Sequence, residues 1–127
     1  MFWKKRYLTD ATLGKFERVL DHWLSVETIN EVSLSLQGTK TEFEPTSLQQ
    51  ASLLLESKER IQAEAVSYLT KQNIEHFSKM ESLSLSSLAS SSVNGTFDVE
   101  FEVADWEDAY VIVHFKAGKP ESLSMGD

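Results

Sequence analysis

The sequence contains no cysteine and little glycine, and both absences exclude kinds of chemical site. Without cysteine there is no disulfide, thiolate zinc site, iron–sulfur cluster or cysteine nucleophile. Five glycines among 127 residues leave little material for a glycine-rich phosphate loop. No apolar run approaches the roughly 20 residues that a membrane-spanning helix needs. The spaced motifs of nucleotide-binding proteins, zinc proteases and serine hydrolases are missing too, which disfavours an enzyme and predicts no cofactor.

Positive charge is scarce and unevenly distributed. The chain has 12 Lys+Arg against 20 Asp+Glu, a net charge of −8. Because nucleic acids are bound by neutralising their phosphates, this balance disfavours nucleic-acid binding. The net charge is +3 over residues 1–20 but −6 over residues 94–127. The acidic C-terminal part suits a basic protein partner; the alternative interpretation is a surface that only maintains solubility.

The overall composition is that of a globular protein. Hydrophobic residues make up 41% and charged residues 25% of the chain, and its length fits a single domain over 1–127. Lys4, Lys5 and Arg6 stand near the N-terminus, but no apolar segment of a signal peptide follows them. We therefore expect a cytoplasmic protein.

The N-terminal third has the alternating pattern of β-strands. A first strand is predicted over 12–20, with a bulge at Gly14 that restores the alternation. A second, short strand is predicted over 23–26. Val32, Leu34 and Leu36 alternate with polar residues and predict a half-buried strand.

One long helix is predicted over 46–72. Thr46 and Gln49 fit a capping box at its start, and Asn73 fits a C-cap. Lys58 is the exception on an otherwise apolar face. That face consists of Leu48, Ala51, Leu54, Leu55, Ile61, Ala65, Tyr68 and Leu69.

The C-terminal part is predicted to form consecutive strands with tight turns. Seven of the eleven residues 82–92 are serine, yet the leucines among them indicate a strand over 88–93. Asn94 and Gly95 then fit a type I′ hairpin turn. Further strands are predicted over 97–103, over 109–116 and, after a turn at 117–120, from Leu123 onward. The expected fold is α+β, with an antiparallel sheet of N-terminal strands plus a C-terminal meander and one long central helix packed on one face.

The outer face of the C-terminal hairpin is a candidate site. If Phe101 shares a face with Val111 and Val113, the opposite face carries Asp98, Glu100, Glu102, Tyr110, Ile112, His114 and Lys116. A carboxylate beside His114 fits a general acid/base pair or an oxygen-rich metal site. The alternative is a solvated face with weak cross-strand ion pairs. The spacing of the three histidines carries no metal-binding signature, so we predict no metal.

An aromatic residue among acids follows the first strand of this hairpin. Trp106 stands between Asp105 and Glu107 in a predicted turn. Such a residue fits a binding hot spot for a cationic partner, or it folds back over the hairpin edge. The predicted partner-binding residues are Trp106, Glu107, Asp108, Glu100 and Glu102.

Two other interpretations remain open at this point. In the first interpretation, the chain is a small-ligand-binding protein or a minor enzyme, with a pocket between helix and sheet lined by Trp23, Tyr68 and His114. A homodimer joined through a strand edge or a helix face is compatible with either function.

Short motifs along the chain carry a resemblance. They are Phe2-Trp3-Lys4-Lys5, Leu13-Gly14-Lys15-Phe16, Trp23, the Val32/Leu34/Leu36 strand, Gly118-Lys119-Pro120 and Met125-Gly126-Asp127. In these motifs and in element order, the chain resembles a diffuse group of small uncharacterised bacterial α+β domains, some of which look like immunity proteins. The resemblance implies a bacterial, cytoplasmic domain that neutralises a toxin, and it carries over no functional residue.

Overall fold

The computed structural model describes residues 4–72, 83–104 and 108–126. The strands are β1 Tyr7–Asp10, β2 Gly14–Val19, β3 His22–Ser25, β4 Ser33–Gln37, β5 Leu83–Ser90, β6 Phe97–Val103, β7 Tyr110–Lys116 and β8 Lys119–Gly126. The helices are α1 Pro45–Glu56 and α2 Lys58–Lys71. The α+β class is confirmed. None of the helices in these ranges is long and apolar enough to cross a lipid bilayer.

The eight strands form one sheet whose spatial order follows the order in sequence. Neighbouring strands pair antiparallel throughout the described sheet except at its centre, where β4 and β5 pair parallel. The prediction of a wholly antiparallel sheet is therefore wrong at this pair. Both helices lie in the connection from β4 to β5, and a crossover of this kind returns the chain in the same direction.

The prediction of a single helix over 46–72 is wrong, because the described residues of this segment form two short helices. Ser57 separates them with φ −102° and ψ 17°. The break comes directly before Lys58, the one charged residue on the predicted apolar stripe. Lys58 Nζ instead donates a hydrogen bond to the Asn30 carbonyl at 2.8 Å. A buried ammonium would be costly, and the break keeps this one out of the core.

The helix start also differs from the prediction. Glu44 is the N-cap and its carboxylate accepts a hydrogen bond from the Ser47 amide at 2.7 Å. Pro45 occupies the first helical position, where its missing N–H costs nothing. The capping box at Thr46 and Gln49 is therefore wrong. The predicted C-cap Asn73 lies outside the described residues.

Two predicted turn features are corrected as well. Gly14 is not a bulge but the first residue of β2, with φ +93°, directly after the turn from β1. The Asp10 carboxylate holds that turn by accepting from the Leu13 amide at 2.8 Å. At the second turn only Gly95 has a positive φ, +84°. A type I′ turn needs positive φ at Asn94 too, so this connection is not type I′.

The core lies between the two helices and one face of the sheet. It includes Phe16, Trp23, Leu34, Leu36, Ala65, Leu69, Leu88, Val99, Phe101, Val111, Val113 and Phe115. Trp23 meets Phe43 edge to face at 5.8 Å between ring centroids, and its Nε1 donates to the Thr39 carbonyl. The carboxylates of β6 and the serines Ser33, Ser35 and Ser87 therefore face the side that no described helix covers, whereas Ser25 and Ser90 are buried on the covered face.

Candidate functional site: the open face of the sheet

Within residues 4–72, 83–104 and 108–126, helices cover one face of the sheet and none covers the other, which we call the open face. Because side chains alternate along a strand, the neighbours of each core residue point to the open face. At the centre of this face Ser33 pairs with Ser87 and Ser35 pairs with Ala89. These side chains are small, whereas the polar side chains that β6 and β7 place on the same face are longer.

The register of the β6–β7 hairpin confirms the predicted placement of its side chains. Phe101 pairs with Val111 on the covered face. On the open face Asp98 pairs with His114, and Glu100 pairs with Ile112. The register therefore brings Asp98, not Glu100, opposite the histidine.

Three of the predicted partner-binding residues line one cleft, which we call the acidic cleft. Its described lining consists of Ser84, Glu100, Glu102, Val103, Ala104, Asp108, Ala109 and Tyr110, and its volume is about 460 Å³. None of these described lining residues is basic. Trp106 and Glu107, the other two predicted contact residues, lie outside the described residues.

The environment of Glu100 makes its ionised form unfavourable. Its pKa is raised from 4.5, first by burial and then by the negative charges of Glu102 and Asp98. A hydrogen bond with Ser86 acts in the opposite direction. A positive charge in the acidic cleft would relieve the repulsion among these carboxylates.

Next to the cleft, three side chains from three neighbouring strands form a hydrogen-bonded row. His114 Nδ1 lies 2.7 Å from Asp98 Oδ1, and His114 Nε2 lies 2.7 Å from Ser124 Oγ. Alternation along the two strands predicts that Asp98 and His114 share a face, but the predicted site did not include Ser124. The signal was present, because Leu123 and Met125 flank this serine and alternation puts it on the opposite side from them.

The three residues of the predicted helix–sheet pocket are not brought together. Trp23 lies in the core on the helix-covered face, 1% exposed. His114 points to the open face, so the sheet separates it from Trp23. The Tyr68 hydroxyl group donates to the carbonyl of Glu121 in β8. The ligand or enzyme alternative loses its proposed pocket.

A second cavity, of about 650 Å³, lies where the parallel strands β4 and β5 end. Several of its polar groups already have partners within the protein. Gln37 Oε1 accepts from the Ser92 amide, and the Glu44 carboxylate caps α1. Within residues 4–72, 83–104 and 108–126, no cluster of three or more Asp, Glu or His side chains is arranged to hold a metal ion.

Comparison of the chain with protein-family models, with curated proteins and with solved structures found no match.

Proposed function

We propose that this chain is a protein-binding domain whose acidic cleft receives a lysine or arginine side chain of a basic partner protein without catalysing a reaction on it. In the immunity-like form of the proposal, the bound partner is thereby inhibited. The observation that supports it is the gathering of Glu100, Glu102 and Asp108 around one cleft without a basic residue in its described lining.

The chemistry of the cleft favours a guanidinium or ammonium group. Each carboxylate only accepts hydrogen bonds, and a guanidinium only donates them, often in pairs. Glu100 is partly desolvated before the partner arrives. Part of the cost of removing it from water is thus already met in the free protein, and the arriving cation also offsets the repulsion from Glu102.

Charge outside the cleft supports the same partner. The net charge of −8, concentrated in the C-terminal part, attracts a basic protein before contact. Such steering accelerates association and weakens as salt shortens the range of the field. Binding of the partner should therefore slow markedly in high salt.

Peptide titration of the full chain tests the proposal. Acetyl-Arg-Arg-Arg-amide is added to isotope-labelled protein, with acetyl-Gln-Gln-Gln-amide as the uncharged comparison, and amide shifts are followed by NMR. We expect the arginine peptide to shift residues of β6 and β7 around the cleft. Shifts confined to another part of the surface would contradict the proposal.

A matched pair of variants separates the cleft from general charge. The cleft variant combines Glu100→Gln, Glu102→Gln and Asp108→Asn. The control variant combines three exposed positions elsewhere, Glu27→Gln, Glu56→Gln and Glu121→Gln. Both remove the same charge, yet we expect only the cleft variant to lose about tenfold or more in peptide affinity. Equal losses of affinity in the two variants would mean that peptide binding depends on net charge alone.

The same pair serves as baits for the natural partner. Proteins retained from host lysate at low and high salt are compared between wild type, cleft variant and control variant. A basic protein held by the wild type and the control variant, but not by the cleft variant, is the expected result. A basic protein held equally by all three baits would count against the cleft.

Trp106 provides a further test, although it lies outside the described residues. Trp106→Ala should weaken partner binding by about tenfold or more while leaving the melting temperature unchanged, as expected of an aromatic hot spot. The variant is measured by the same titration and by thermal unfolding. A large loss of thermal stability would show instead that the indole packs against the protein.

A further inference from the structure

The row of Asp98, His114 and Ser124 has a chemistry that the binding proposal does not use. The three side chains come from β6, β7 and β8, and both ring nitrogens of His114 lie 2.7 Å from an oxygen. The order carboxylate, imidazole, hydroxyl group is the order in which a base activates a serine.

The partners of the ring nitrogens determine its hydrogens. An ionised carboxylate only accepts, so Nδ1 of His114 carries the hydrogen donated to Asp98. In the neutral ring Nε2 is then the acceptor, and Ser124 Oγ donates to it. Asp98 thus holds the tautomer in which Nε2 is free to remove a proton from Ser124.

We propose that Ser124 is an acyl-accepting nucleophile, with His114 as its general base and Asp98 as a positioning residue, and that it takes small esters from the open face. The proposal is independent of the basic partner. It assigns a second activity to the same face of the sheet.

The steps balance with water as the only co-reactant. Ser124 Oγ forms a bond to the ester carbonyl carbon while its proton passes to Nε2 of His114. The intermediate breaks the bond to the leaving oxygen, which receives that proton and departs as an alcohol. Water then attacks the acyl-serine with the same base, which releases a carboxylic acid and restores the serine.

Access to the row is open. The side chains of His114 and Asp98 are 36% and 44% exposed, and Ser124 lies on β8, the last strand of the described sheet. An ester therefore reaches Ser124 without a conformational change. Because water also surrounds the row, we expect only the contribution of general base catalysis, about 10²-fold to 10⁴-fold at most.

A fluorophosphonate probe tests the nucleophile directly on the full chain. Attack by Ser124 Oγ forms a bond to phosphorus, breaks the phosphorus–fluorine bond and releases fluoride. Peptide mapping by mass spectrometry should locate the label on Ser124. Ser122 is the matched control, because it lies opposite His114 in register although the hydrogen bond goes to Ser124. Labelling should vanish in Ser124→Ala and persist in Ser122→Ala.

Hydrolysis of p-nitrophenyl acetate tests the turnover. We expect Ser124→Ala and His114→Gln each to lose at least about tenfold in rate, with Ser122→Ala unchanged. Thermal unfolding of each variant checks that the fold is retained. A rate lost in His114→Gln but kept in Ser124→Ala would overturn the proposal, because the imidazole itself would then be the nucleophile. Equal rates in all variants would overturn it too.

Asp98 requires a readout that a purely structural role would not move. In Asp98→Asn we expect the rate to fall and the NMR signal of the Nδ1 hydrogen of His114 to shift or disappear. An unchanged imidazole signal would show that Asp98 does not hold the Nδ1 hydrogen of His114. The cleft variant should keep its fluorophosphonate labelling while losing the arginine peptide, so failure of one proposal is distinguishable from failure of the other.

Discussion

The two faces of the sheet are built from the same strands but differ in burial and in the polarity of their side chains. In β6, Phe101 is fully buried beneath the helices. Its neighbour Glu100 points the other way, into the acidic cleft. A step of one residue along the strand thus passes from the core to the candidate site.

The difference shows how one short pattern specifies both stability and function. Side chains on the covered face must fit one another in size and shape, because they are close-packed against α1 and α2. Residues on the open face have water as their neighbour and are free to carry charge. Substitutions on the first face should therefore change folding, and those on the second should mainly change binding.

The largest expected effect is on the covered face. Phe101→Ala removes a fully buried ring and should lower the free energy of unfolding by about 3–5 kcal/mol, measured by urea denaturation. The control is Ile112→Ala, an apolar truncation on the open face, where Ile112 is only half-buried. We expect it to cost less than half as much. Equal losses would mean that the open face is packed as tightly as the core.

A smaller effect is expected at the polar end of the covered face. Gln50, 5% exposed, accepts from the Gly95 amide at 2.7 Å and donates to the Thr96 carbonyl at 3.1 Å. Gln50→Leu leaves these backbone groups without their partner and should cost about 1–3 kcal/mol in urea denaturation. Gln49→Leu, an exposed neighbour on the same helix, should be nearly neutral. A neutral Gln50→Leu would show that water replaces the amide.

The smallest expected effect is a gain on the open face. Glu100→Gln should stabilise the protein at neutral pH by about 0.2–1 kcal/mol, because it removes a charge that burial disfavours first and that Glu102 and Asp98 repel. The pKa of Glu100 is higher in the folded protein than the 4.5 expected without its surroundings. Its ionisation therefore costs stability as pH rises through the folded pKa, and below 4.5 that cost is absent.

The pH dependence gives the measurement. Urea denaturation of wild type and Glu100→Gln over a pH series should show a gain that shrinks as pH falls. Glu121→Gln, on an exposed position of β8, is the control and should show little change. A gain for Glu100→Gln that stays constant with pH would have a cause other than ionisation.

Much of the β6–β7 hairpin was predictable because its signals are local. Phe101 and its alternating neighbours specify which face is buried. The same alternation placed Asp98 within reach of His114. The acidic cleft was foreseen only as a set of charges, since the depth around Glu100 depends on Ser84 from β5.

Other features depended on contacts that are distant in sequence. The break before Lys58 reflects its contact with Asn30, 28 residues earlier. The cap of α1 involves Ser47, whose hydroxyl group donates to the Ser90 carbonyl across the core. A prediction from the local pattern takes no account of Asn30 or Ser90. It therefore continued the helix through Ser57 and misplaced the start of α1.

By itself, the sequence determined the class of fold, the strands of the C-terminal meander and the acidity of their outer face, because alternation and charge are properties of neighbouring residues. Only the tertiary structure decided that β4 and β5 pair in parallel at the centre. Only it placed Ser124 beside His114 and set Trp23 on the opposite side of the sheet from that histidine. The physical reason is that hydrogen bonds between strands and the packing of helices on one face join residues that no local pattern relates.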